Sequence, residues 1–261
     1  MPQTLPESLS LEVRGVVAVL TLDRARKRNA LDTETVLGLE RFFTAVPEGV
    51  RAVVLHGDGD HFCAGLDLSD LSDAGVEAGL HHSRMWHRVM GTIQLGTVPV
   101  VSALTGAVIG GGLELASATH IRVAEPSAFY ALPEGQRGLF LGGGGSVRLP
   151  RLIGVARMTD MMLTGRVYDA AEGQAAGLSH YLVGDGAGLA KGLELARKVA
   201  ANAPLSNYAI TQALPRIAEM APAEGLFVES LMSAIAQGDE AAKQRVRDFL
   251  GKRAGMVGKA S

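Results

Sequence analysis

Residues 105–135 read TGAVIGGGLELASATHIRVAEPSAFYALPEG, and the fold turns on how this stretch is read. An apolar strand, Val98 to Leu104, precedes it and is interrupted only by Pro99. Gly110, Gly111 and Gly112 then lead into a helix-forming run, Leu113 to Ala118. A strand, a tight turn and a helix start bring bare N–H groups close to whatever lies above them, because glycine lets the backbone approach and a first helical turn has no internal acceptors for its amides. Glu114 falls in that first turn, where an acidic residue also suits the helix dipole. After a second strand, His120 to Ala124, Glu134 stands in an Ala-Leu-Pro-Glu-Gly turn. Amide donors for a developing oxyanion and two carboxyls for proton transfer can together make one site.

Upstream, Ala52 to Gly57 (AVVLHG) reads as a buried strand, and the turn-rich segment after it ends in Phe62-Cys63-Ala64-Gly65-Leu66-Asp67-Leu68. FCAGLDL, GAVIGGGLELA, and ALPEGQRGL followed by a glycine-rich turn and SVRLPRLIG occur in that order. In these three blocks the chain resembles the crotonase superfamily, the enoyl-CoA hydratase/isomerase family, from about Val16 to the C-terminus. The resemblance implies an α/β fold built as a spiral of ββα units, with a C-terminal helical region that packs between subunits. It implies a domain layout of 1–190 for the catalytic core and 191–261 for the helical, trimerising part.

Composition bounds the alternatives. At 261 residues, 47% hydrophobic and 20% charged, the chain is long and apolar enough for a substantial core. A net charge of −2 disfavours a nucleic-acid groove. The longest apolar run, around Val98 to Ile109, is too short and too interrupted for a membrane span. The lone Cys63 excludes an intrachain disulfide and suits a reducing, cytoplasmic setting, and the first residues show no signal-peptide pattern. Beside the predicted site, Cys63 reads as a small buried hydrophobe, since no base can be named to activate it as a nucleophile. His81, His82 and His87 do not share a helix face with an acidic ligand, so no metal site is expected.

Leu11 to Leu22 reads as a hairpin about Arg14-Gly15, and Asp32 as the cap of a helix running to Val46. Between them, DRARKRN (residues 23–29) is a basic turn suited to phosphate oxygens. Ser69 to Gln94 reads as helical, and its stripe of Met85, Trp86, Val89, Met90 and Ile93 is either core or the wall of an acyl pocket. Tyr168 to Gly177 reads as helical and Leu178 to Val183 as a last strand. From Gly186 the period is purely helical, with helices at 187–203, 206–220, 223–237 and 240–253. Leu226, Phe227, Leu231 and Ile235 leave an apolar face that needs a partner.

The family resemblance also assigns roles. It implies addition of water to a short-chain 2-enoyl-CoA thioester, a lyase activity of fatty-acid metabolism. Glu114 and Glu134 are then the catalytic pair, with Glu134 favoured as the donor to carbon and the division of acid and base left open by the sequence, and the amides of Ala64 and Gly111 form the oxyanion hole. Arg26, Arg28, Ala64, Gly65, Leu66, Asp67, Leu68 and Gly111 are expected to bind coenzyme A or substrate. Trp86, Met90, Leu132 and Leu141 are expected to line the acyl pocket. Ala25 and Leu141 replace prolines usual in relatives, and Leu132 replaces a residue that is polar in some. No cofactor is implied beyond the coenzyme A of the substrate, and a homotrimer or a dimer of trimers is the expected assembly. Both glutamates together favour a hydratase over an isomerase or a hydroxyacyl-CoA lyase, and the net charge of −2 disfavours a non-catalytic, RNA-binding protein of the same fold. The motif combination also resembles a bacterial subgroup that includes methylthioacryloyl-CoA hydratases.

Overall fold

The computed structural model describes residues 4–71 and 75–251. The chain divides into two compact units, the first ending at Val199 and the second beginning at Ala200.

In the first unit the predicted hairpin forms as β1 (Leu9–Arg14) and β2 (Val17–Leu22), antiparallel, with Gly15 at φ +66° in the turn. Asp32 caps α1 (Thr33–Thr44) by accepting the Thr35 N–H at 2.8 Å. β3 (Ala52–Gly57) follows, then a 3-10 turn, Leu68–Leu71, and α2 (Val76–Gln94). Residues 72–74 of the predicted helix lie outside the described residues. β4 (Val100–Leu104), β5 (Ala107–Ile109), α3 (Gly111–Ala118), β6 (Ile121–Ala124) and β7 (Phe129–Ala131) come next. After the glycine run stand α4 (Gly145–Ile153), α5 (Val155–Thr164), β8 (Tyr168–Asp169), α6 (Ala170–Ala176), β9 (Tyr181–Leu182) and α7 (Gly188–Ala200).

Six strands form one sheet in the order β1-β2-β3-β4-β6-β9, parallel from β2 onward. β2, β3 and β4 are buried almost throughout, as strands covered on both faces must be, which explains their unbroken apolar runs. β5, β7 and β8 form a second, three-stranded sheet. None of these three is legible as a strand, since each is two or three residues long and exists only through its partners. The predicted helix from Tyr168 begins instead at Ala170, because Tyr168 and Asp169 pair with β7 and Asp169 caps the helix. Its carboxylate accepts the Glu172 N–H at 2.8 Å while Glu172 accepts the Asp169 N–H at 3.1 Å, a reciprocal cap.

The sequence-based boundary at residue 190 falls inside α7. All of this helix but its last residue stays with the first unit, where Leu193, Leu195 and Ala196 are buried and Gly192 lies against Val54 and Ala103 of the sheet. Its start is held by Glu125, whose carboxylate accepts the amides of Gly186 and Gly188 at 2.8 and 2.7 Å.

In the second unit, α8 (Pro204–Tyr208) and α9 (Leu214–Ile217) are joined by a π-helical segment, Ala209–Ala213. The predicted single helix is interrupted here because Pro215 has no N–H to close the usual bond four residues back. α10 (Pro222–Gly238) and α11 (Glu240–Leu250) complete it, and residues 252 and 253 of the predicted last helix lie outside the described residues. Leu226, Phe227, Leu231 and Ile235 are exposed along α10. No helix among the described residues is long and apolar enough to cross a membrane.

Gly173 of α6 faces the fully buried ring of Tyr130 on β7, and a Cβ there would lie 2.2 Å from a ring carbon. Gly173→Ala gains up to about 1 kcal/mol of helix propensity. It meets an overpacking cost of about 1–3 kcal/mol, so the substitution should destabilise the protein. Denaturant unfolding should show a lower midpoint, and an unchanged or raised midpoint would contradict this packing.

Candidate active site

The loop after β3 is pinned on two sides. Cys63 N–H donates to Ala107 carbonyl at 2.9 Å and Ile109 N–H to Cys63 carbonyl at 3.1 Å, tying the loop to β5. On its other edge, Leu31 N–H donates to Gly65 carbonyl and Asp67 N–H to Leu31 carbonyl, both at 2.8 Å. Backbone groups alternate in direction along an extended segment, so the Leu66 N–H between these two bonds points away from Leu31. It has no backbone acceptor among the described residues. It lies beside Gly111, the first residue of α3, where a Cβ would come within 3.2 Å of the Leu66 nitrogen. The Gly111 N–H, in the first turn of the helix, has no intrahelical acceptor. Leu66 and Gly111 both line a single cavity of about 300 Å³.

The expectation for Ala64 is corrected here. Its N–H donates to the Arg28 carbonyl at 2.9 Å and is not available to a ligand, so the open pair is Leu66 and Gly111. Ala64, Gly65, Leu66 and Leu68 do line the cavity, but Asp67 does not. The Asp67 carboxylate accepts from Ser69 Oγ at 2.8 Å and from Arg24 Nη2 at 3.1 Å, and these groups hold it below the usual carboxylate range. Asp67 is thus a brace. Arg24 also donates to the Ala30 carbonyl and pairs with Asp32. The turn it supports carries Arg28 and Asn29 at φ +50° and +56°, with the Asn29 amide donating to the carbonyls of Asp58 and His61. Arg26 and Arg28 are exposed on this turn and do not line the cavity.

Both predicted glutamates line the cavity. Glu114 is buried in the first turn of α3, and its Oε1 accepts the amides of Gly143 and Gly145 at 2.8 and 2.7 Å. Gly144 between them is left-handed, φ +88°, which turns both amides to the same oxygen. Burial raises the Glu114 pKa, opposed by the Gly145 and Gly143 amides and by the Arg148 charge. Glu134 stands at the turn after β7. A Cβ at Gly110 would lie 2.5 Å from its Oε1, and its buried Oε2 has no hydrogen-bond partner among the described residues. Burial, with the charge of Glu114 adding to it, pushes the Glu134 pKa up to about 7. The two carboxyls share one cavity but not one environment.

Trp86 and Leu141 line the cavity as expected, while Met90 and Leu132 are corrected to core residues, fully buried and absent from the wall. Trp86 packs over Gly111, where a Cβ would meet its ring at 3.0 Å. His82 and Ser83, one turn before Trp86 on α2, also face the cavity and were missed. Trp86 Nε1–H donates to His82 Nε2 at 3.2 Å, and Ser83 Oγ–H donates to Gly142 carbonyl at 2.7 Å. Spacings of three and four from Trp86 are the signal that would have found them.

The chain as a whole is similar to known proteins. A sequence model described as enoyl-CoA hydratase/isomerase matches residues 12–256. The Mycobacterium tuberculosis enoyl-CoA hydratase EchA19 is 34% identical over 95% of each chain. The Escherichia coli 2,3-dehydroadipyl-CoA hydratase is 32% identical over 91% of this chain and 93% of its own. A crystal structure from Rhodopseudomonas palustris is 58% identical and superposes with a TM-score of 0.93, covering 96% of this chain and 98% of that one. A Bacillus anthracis enoyl-CoA hydratase structure is 29% identical with a TM-score of 0.89, over 96% and 98%. The architecture is thus the crotonase fold. The chain belongs to the enoyl-CoA hydratase/isomerase family.

Cys63 is fully buried behind Gly112, and burial pushes its thiol up to about 12. A thiol that stays protonated is a poor nucleophile. The folded protein should therefore resist a disulfide reagent at pH 8 and react only after denaturation. Rapid native labelling at one equivalent would refute this.

Proposed function

We propose that this protein hydrates a short-chain 2-enoyl-CoA thioester. The observation that carries the reading is that two unclaimed amides, Leu66 and Gly111, open onto the same cavity as two buried carboxyls held in different environments. The thioester oxygen accepts both amides. Water between the carboxyls loses its proton to Glu114 as its oxygen bonds to the β-carbon. The alkene electrons move onto the thioester oxygen as an enolate, which the two N–H groups stabilise. The enolate then collapses and its α-carbon takes a proton from Glu134. The proton gained by Glu114 passes back to Glu134 or to solvent, closing the cycle.

The division of roles follows from the environments. Glu114 has two amide donors and a nearby cation, so the first negative charge resides there. Glu134 faces that charge with an unpartnered oxygen and keeps its proton. A cavity of about 300 Å³ walled by Trp86, Leu139, Phe140 and Leu141 suits an acyl group of a few carbons. Short-chain enoyl groups and the methylthioacryloyl group of the resembled subgroup both fall in this class. The exposed Arg26 and Arg28 supply cations for the phosphates of coenzyme A, and the apolar face of α10 supplies a surface for assembly of three copies.

Purified protein should remove the enoyl-thioester absorbance of crotonyl-CoA. Glu114→Gln and Glu134→Gln should each lower kcat/KM by roughly a hundredfold or more. Full activity in both variants would end this mechanism. With 3-enoyl-CoA, a product lacking the added hydroxyl would mark an isomerase instead. The pH profile has a definite sign. Hydration needs protonated Glu134, so kcat/KM should fall as pH rises through about 7. The overall reaction takes up and releases no proton, so its equilibrium constant does not vary with pH and kcat/KM for dehydration should fall over the same range, the pair holding one proton in both directions. A kcat/KM for hydration that stays level or rises through about pH 7 would contradict the assignment.

A further inference from the structure

The residue that connects Glu114 to its glycine cradle is Arg148, on the first turn of α4. Its Nη2–H donates to the Gly143 carbonyl, and its Nε–H donates to Ser117 Oγ at 3.3 Å. Ser117 lies on α3 one turn beyond Glu114, and its hydroxyl donates to the Glu114 carbonyl at 2.7 Å. The guanidinium also packs under Gly144, where a Cβ would meet Nη1 and Nη2 at 3.0 Å. One side chain therefore joins the helix that carries Glu114 to the loop whose amides grip it. Among the described residues, Arg148 makes no ion pair with a carboxylate, so its charge is not neutralised by contact.

We propose that Arg148 is a positioning residue for the hydration reaction: by clamping the Gly143 carbonyl to α3 it aims the Gly143 and Gly145 amides at Glu114 and keeps that carboxyl ionised as the base. The proposal rests on the reading of Glu114 as the group that takes the proton of water. An amide pair grips one oxygen only while the loop keeps its shape, and Gly144 in the left-handed region has no preference of its own strong enough to hold it. Releasing the Gly143 carbonyl frees the Gly143–Gly144 peptide, which lies between the two amide donors, and lets both drift from Oε1. The titratable groups about Glu114 are Arg148 on α4, Glu134 and Arg137 on the turn after β7, His82 on α2 and the Cys63 thiol behind Gly112. Arg148 is the cation among them whose charge bears on Glu114, and burial works the other way. Removing it therefore raises the pH at which Glu114 ionises.

The test uses full-length Arg148→Met and Arg148→Lys, with crotonyl-CoA hydration followed across pH. Carbon-13 NMR of labelled glutamate, with Glu114→Gln to assign the resonance, reads the Glu114 titration directly. In Arg148→Met, kcat should fall roughly tenfold or more with KM little changed. The acid limb of kcat and the Glu114 midpoint should both rise by about one pH unit. Lysine keeps the charge but cannot reach Ser117 and the Gly143 carbonyl together. Arg148→Lys should bring the midpoint back toward wild type while recovering only part of kcat. A folded Arg148→Met with wild-type kcat and midpoint, or with its loss confined to KM, overturns the proposal. Should the methionine variant not fold, Arg148→Lys with undiminished kcat does the same. If the wild type hydrates no enoyl thioester, the proposed reaction fails, yet the Glu114 midpoint in wild type and Arg148→Met still decides whether the clamp exists.

Discussion

The active cavity depends on one constraint: the extended segment 63–67 is hydrogen-bonded along both edges, to β5 on one side and to Leu31 on the other. A strand held this way cannot rotate its peptides. The Leu66 amide is left facing inward because its neighbours are already committed to Leu31. Gly65, at φ +100°, is needed to bring the segment this close, since a Cβ would lie 2.8 Å from the Ile109 carbonyl. The glycines of the α3 turn complete the approach from the opposite side. A geometry made of backbone bonds among parallel strands is stiff, and stiffness is what an electrostatic site needs, because donors already aimed at the developing charge cost nothing to reorganise.

The carboxyls show how burial and hydrogen bonding compete. Both are removed from water, which penalises their charged forms. Glu114 receives compensation from two amides and a guanidinium, while Glu134 receives a neighbouring negative charge. Both carboxyls are raised, yet identical side chains in one cavity sit in unequal environments, and the charge of Glu114 helps hold the proton on Glu134. Part of the asymmetry comes from the amides of Gly143 and Gly145, in a stretch with no functional side chain of its own.

Much of this was legible in the sequence. The long apolar runs of β2, β3 and β4 and the capped start of α1 are local signals, and the local signals hold. Three motifs in order pointed to the fold and to the cavity that contains Glu114 and Glu134. What was not legible depends on contacts between distant residues. The direction of the Leu66 amide is set by Leu31, a contact the motif FCAGLDL does not contain, and the family resemblance assigned the donor to Ala64 instead. The helical period of α2 shows that Trp86 and Met90 share a face, but not that the cavity reaches only the turn from His82 to Trp86. The amides of Gly143 and Gly145 read as turn formers, because nothing local says that their partner is Glu114. β5 and β7 are too short to carry a pattern without each other.

Leu66 contributes a peptide N–H at the cavity, and the direction of that group is fixed by the bonds of its neighbours to Leu31. A group set by chain register is indifferent to which amino acid stands there. The side chain at this position is therefore free to change over evolution while the amide keeps its aim.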